Sequence, residues 1–95
     1  MLSPLEALVL DLLAAHSPTY GLDLVARSRG RLKRGSVYVT LGRMEQKGLV
    51  ASEREPRPGE GPARRLYEPT ALGLRALVAA RLLDGDLPLG ALGGR

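Results

Sequence analysis

The sequence predicts a mainly α domain with one small β-hairpin. Three observations carry this: helix start and stop signals bracket four segments, a Pro- and Gly-dense charged stretch at 56–63 separates two short strand-like runs, and 95 residues without cysteine allow one domain held by packing alone. At this length the core is small, so a partner subunit would add stability.

Ser3-Pro4-Leu5-Glu6 supplies an N-cap, a proline suited to the first helical position, and a carboxylate three residues past the cap. The first helix then runs to about His16, with Leu5, Leu8, Val9, Leu12 and Leu13 on one apolar face. A shorter second helix, from Tyr20 to about Ser28, uses Leu24 and Val25 and closes at Gly30. Residues around Leu32 suggest a minimal strand. In the third helix, Ser36 to Lys47, each residue turns about 100° from the last. Val37, Leu41 and Met44 therefore gather on one side and Ser36, Thr40, Arg43 and Lys47 on the other, with Val39 at its edge, before Gly48 ends the helix. Leu49–Glu55 and Arg64–Tyr67 read as antiparallel strands joined by the 56–63 loop. Thr70 caps a fourth helix, Ala71 to Leu83, with a stripe of Leu74, Leu77, Val78 and Leu82. Residues 84–95 are expected to be a flexible tail after a folded unit at 1–83.

Three helices, a hairpin and a further helix form the order of a winged helix-turn-helix, in which the third helix enters the major groove of DNA and the hairpin follows the backbone. Charge supports this reading. Residues 29–65 hold ten Lys and Arg against four Glu, whereas 1–28 and 66–95 carry no basic excess. Ser36, Thr40 and Arg43 bring two hydroxyls and a guanidinium to one face, groups suited to phosphate oxygens and base edges. Lys33 and Arg34 precede them, and Arg57, Arg64 and Arg65 lie on or beside the hairpin. A merely solvated polar face is the plainer interpretation of 35–50 alone; element order and charge segregation together favour double-stranded DNA.

Other chemistry finds no support. His16 is the only histidine and has no clustered ligands around it, so it reads as a surface residue at a helix C-terminus. Glu6, Glu45 and Glu53 show no spacing for acid–base work, and Ser3, Ser28, Ser36 and Ser52 have no base in a recognisable motif. The Gly-Glu-Gly at 59–61 opens no helix, so a phosphate-binding loop is not indicated. No enzyme, metal or cofactor is expected. The N-terminus lacks the basic region of a signal peptide, and Asp11 interrupts the one long apolar run, predicting a cytoplasmic protein without a membrane partner.

Four segments resemble the PadR family of bacterial transcriptional regulators in its short form, with a single helix after the wing: LSPLEALVLDLLA, TYGLDL, GSVYVTLGRMEQKGLV and GEGPARRLYEPTALG. They occur in order and span about residues 2–83. The resemblance implies a dimeric repressor, with Tyr20, Ser36, Tyr38 and Thr40 touching backbone or bases and Arg64 and Arg65 holding wing phosphates. Tyr20 and Tyr38 also fit as amphipathic core-edge residues, and Tyr67 is expected to pack rather than bind. No Trp or Phe is present to line a pocket at a dimer interface, which argues against a small-molecule effector. Dimerisation is expected through Leu74, Leu77, Val78 and Leu82 of the fourth helix, with Leu5 and Leu8 of the first contributing, and a pseudo-palindromic operator would follow from the two-fold axis. The alternatives are a winged-helix module that docks on an acidic protein without a specific DNA target, and a non-specific nucleic-acid binder.

Overall fold

The computed structural model describes residues 2–55 and 64–85. Its elements in chain order are α1 (Pro4–His16), β1 (Thr19–Tyr20), α2 (Gly21–Arg27), α3 (Val37–Gln46), β2 (Val50–Glu55), β3 (Arg64–Pro69) and α4 (Ala71–Leu83). The expected capping box is formed: the Ser3 hydroxyl accepts from the Glu6 amide at 3.1 Å, and the Glu6 carboxylate accepts from the Ser3 amide at 2.9 Å. At the end of α3, Gly48 has φ +77°, and the Gly48 and Leu49 amides donate to the carbonyls of Glu45 and Met44. This double bond pattern reverses the chain and leads it into β2.

The strand expected near Leu32 is not formed. Ser28 is buried, its hydroxyl donating to the Val25 carbonyl at 2.8 Å and accepting from the Leu32 amide at 2.9 Å, so the Leu32 backbone is committed to a turn and its side chain to the core. The third strand instead comes from Thr19–Tyr20, giving an antiparallel sheet in the order β1-β3-β2. Thr and Tyr suit a strand, and two residues suffice because β3 offers an open edge. The hairpin also runs further than expected, pairing Val50 with Pro69 at its base and Glu55 with Arg64 at its outer end.

Val9, Leu10 and Leu13 of α1, Leu24 of α2, and Val37, Leu41 and Met44 of α3 are fully buried and form one core with Val50, Tyr67 and Leu77. The apolar face of α1 is rotated from the expected one: Leu10 and Glu6 are buried, whereas Leu5 is exposed. Close approach fixes α4. A Cβ on Gly73 would lie 2.0 Å from the Leu49 carbonyl oxygen, and the Thr70 hydroxyl caps α4 at Gly73 while also bonding the Gly48 carbonyl. Leu77 corrects the expected dimer stripe. It is buried in the chain's own core, leaving Leu74, Val78 and Leu82 around an open groove of about 390 Å³. Among the described residues no helix is long and apolar enough to cross a membrane, and no group of three or more His, Cys, Asp or Glu could hold a metal ion.

Glu6 reaches beyond its cap. Its other carboxylate oxygen lies 2.6 Å from Lys47 Nζ, joining the start of α1 to the end of α3. This bond and the Ser3 hydrogen bonds hold the Glu6 carboxyl below its ordinary 4.5 despite burial, which acts in the opposite direction. A depressed carboxylate stabilises the fold above its unfolded pKa, and that contribution is lost as pH falls through the folded value. Glu6→Gln should therefore cost about 1 kcal/mol at pH 7, after discounting for the half-exposed lysine, with the gap to wild type closing well below pH 4.5. Urea unfolding at neutral and acidic pH measures this, and a gap that does not change with pH contradicts it.

Candidate nucleic-acid interface

The polar side of α3 follows from its sequence period. With Val37, Leu41 and Met44 fully buried, Ser36, Val39 and Arg43 are exposed and Thr40 is half-buried on the opposite side. Ser36 stands at the N-cap position but its side chain makes no capping bond. Lys33 and Arg34 are exposed immediately before the helix, and among the described residues neither they nor Arg43 enter the two ion pairs, Lys47–Glu6 and Arg81–Asp11. Lys47, expected on this face, is instead engaged by Glu6. Arg57 lies outside the described residues.

Tyr38 and Glu45, seven residues apart, share the edge of α3 that faces the sheet. The Tyr38 ring lies against Gly21, where a Cβ would come within 2.6 Å of a ring carbon. Glu45 accepts from both the amide and the hydroxyl of Ser52 on β2, and that hydroxyl accepts from Arg65 at 3.0 Å. The helix is thereby packed on α2 near its start and fastened to the hairpin near its end.

Strand alternation gives the hairpin two unlike faces. Thr19, Ser52, Arg54, Arg65 and Tyr67 share the inner face, where Thr19 and Tyr67 are buried; burial also pushes the Tyr67 hydroxyl pKa upward. Arg54 and Arg65 are direct cross-strand partners and both exposed. Like charges opposite one another are unfavourable in isolation. Here the Glu45–Ser52–Arg65 chain supplies a compensating carboxylate. Tyr20, Glu53, Glu55, Arg64 and Leu66 share the outer face. Tyr20 donates its hydroxyl to Glu55, and the Arg64 guanidinium carbon sits 4.8 Å from the Tyr20 ring centroid. The Glu55 hydrogen bond raises the Tyr20 hydroxyl pKa and keeps it a donor.

Residues 9–79 match the family described as transcriptional regulator PadR-like. The chain belongs to the PadR-like family. Among relatives of this PadR-like regulator, Transcriptional regulator Rv3488 of Mycobacterium tuberculosis is 38% identical over 85 residues, covering 86% of this chain and 78% of that protein. A PadR family transcription regulator from Clostridium difficile R20291 superposes with a TM-score of 0.73 at 27% identity, covering 85% of this chain and 86% of that one. A PadR family regulator from Eggerthella lenta is 36% identical with a TM-score of 0.67, covering 85% and 76% of the two chains. The PadR-like chain is thus a transcriptional regulator with a winged-helix DNA-binding fold.

The structure gathers Ser36, Val39, Thr40 and Arg43 on α3 and sets Arg64 and Arg65 on opposite faces of one strand. Tyr20 bonds Glu55 and Tyr38 packs against Gly21, so both rings engage groups within the chain. Gly21, Glu45, Ser52, Arg54 and Glu55 lie in or beside this surface without any local sequence pattern that singles them out. Arg54 was detectable only through the hairpin register, which an eight-residue connection does not specify.

Two glycines at close contacts should respond differently. Gly73→Ala meets backbone and should destabilise the protein by about 2–3 kcal/mol. Gly21→Ala meets the far end of a half-exposed side chain, so stability should change by less than about 1 kcal/mol while the Tyr38 ring swings away. Urea unfolding and the ring proton shifts of Tyr38 check both. Equal losses of stability contradict the assignment.

Proposed function

We propose that this PadR-like chain is a homodimeric, sequence-specific repressor that reads the major groove with α3 and the backbone with its basic wing. The observation that supports this most is the juxtaposition of exposed Ser36 and Arg43 and half-buried Thr40 with Lys33 and Arg34, beside a hairpin fastened to the same helix through Glu45 and Ser52. In this reading Ser36, Val39, Thr40 and Arg43 meet base edges or sugar–phosphate, Lys33, Arg34, Arg57, Arg64 and Arg65 meet phosphates, and Tyr20 and Tyr38 line the groove edge. Arg54, beside Arg65, joins the phosphate-binding set.

Binding to duplex DNA should weaken steeply with salt. If a dimer neutralises about 6–8 phosphates, the log–log slope is about −5 to −7. Arg43→Ala should cost about 1–3 kcal/mol on an operator selected from a random pool and much less on random duplex, whereas Arg64→Ala with Arg65→Ala should weaken both alike and flatten the slope. Fluorescence anisotropy titrations over a salt series measure these effects. A salt-independent affinity contradicts the functional reading, and equal losses for Arg43→Ala on both duplexes contradict the base-reading role.

The proposed dimer uses the side of α4 that the protomer leaves open. Leu74 is exposed, Val78 and Leu82 are half-buried, and each apolar side chain fully buried by a partner contributes about 1.5–3 kcal/mol. Leu5 and Leu8 on α1 are the proposed second contributors; Leu8 already packs partly on its own core. A two-fold axis would set the recognition helices about 34 Å apart, matching a pseudo-palindromic site. Val78→Lys with Leu82→Lys should give folded monomers by sedimentation equilibrium. A monomeric wild type at micromolar concentration, or a double variant that stays dimeric, contradicts this assignment.

A further inference from the structure

The outer face of the hairpin holds a carboxylate where a DNA-binding wing has no evident use for one. Tyr20 and Arg64 are the two groups there with hydrogen-bond donors suited to a phosphate oxygen, and both are arranged around Glu55. The Tyr20 hydroxyl donates to its carboxylate, and Arg64, its direct cross-strand partner, lays its guanidinium over the Tyr20 ring. A carboxylate and a phosphate present the same kind of anionic oxygen to the same donors.

We propose that Glu55 is an internal phosphate mimic that occupies the Tyr20–Arg64 site in the free protein and thereby lowers the affinity of the wing for the DNA backbone. The inference rests on the DNA-binding reading given above. A duplex whose phosphate approaches this site must displace Glu55 or accept its repulsion, and this holds for any base sequence, because phosphate contacts carry no sequence information. The consequence is a regulator whose backbone affinity is held down uniformly. Less of it is sequestered on random DNA, and discrimination is left to the bases read by α3. Glu53 provides an internal comparison, being on the same strand and the same face one alternation further from the wing tip, with Leu66 rather than an arginine opposite it.

The test compares wild type, Glu55→Gln and Glu53→Gln on a selected operator and on a random-sequence duplex. Glu55→Gln removes the anionic charge beside Arg64 and weakens the bond that holds the Tyr20 hydroxyl, so it should tighten both complexes by about tenfold and steepen the salt slope by about 1–2 per dimer. Glu53→Gln, which removes the same charge without freeing the site, should tighten them by no more than about twofold. In a Tyr20→Phe background the gain from Glu55→Gln should shrink by about threefold or more, since the hydroxyl that Glu55 holds is gone. Glu55→Ala should behave like Glu55→Gln, and unchanged urea midpoints establish that the variants are folded. A wild type that binds duplex with the expected salt dependence, while Glu55→Gln gains no more than Glu53→Gln or gains on one duplex only, overturns the inference alone. A wild type with no salt-dependent duplex binding overturns the functional reading and this inference with it.

Discussion

The architecture depends on two residues of extended chain followed at once by a glycine. Thr19 and Tyr20 pair with Tyr67 and Leu66 on β3, and Gly21 opens α2 directly beneath the Tyr38 ring. The backbone hydrogen bonds of a sheet edge and the packing of the helix pair therefore meet within three residues. Without that pairing the sheet would have only two strands, and isolated two-stranded hairpins are marginal in water. With it, α3 and the strands hold a fixed relation, as the proposed fit to a groove and its flanking backbone requires.

Other contacts fasten the opposite end of α3. Lys47 is drawn to Glu6, itself fixed by the capping box of α1, and Glu45 holds Ser52 on β2. The turn at Gly48 then brings Leu49 against Gly73, so α4 is seated by backbone proximity rather than by a long apolar stripe. That economy leaves the outer side of α4 uncovered, and in a chain of this size an uncovered apolar helix face is the natural seat of a second copy in the proposed dimer.

Helix identity was legible in the sequence because each helix carries its own punctuation. The Ser3–Glu6 box, Gly48 and Thr70 mark ends by local chemistry that tertiary structure does not override. The three core residues of α3 were likewise legible from its period. Long-range pairings were not. Thr19–Tyr20 is too short to show alternation, Leu77 and Val78 differ in burial although both fit one apolar stripe, and the Lys47–Glu6 pair joins residues that no local pattern relates. The polar face of α3 was visible in outline, but the carboxylates that hold Ser52 and Tyr20, Glu45 on α3 and Glu55 on β2, acquire meaning only once the strands are placed in register.

In the proposed complex α3 and the wing act on DNA as one surface, repeated by a two-fold axis. Hydroxyl-radical footprinting on an operator selected from a random pool tests that claim most directly. Two protected backbone segments are expected, related by a dyad and centred about one helical turn apart, each continuous from the groove edge to the flanking phosphates. A single protected segment, or uniform protection without phase, would contradict it.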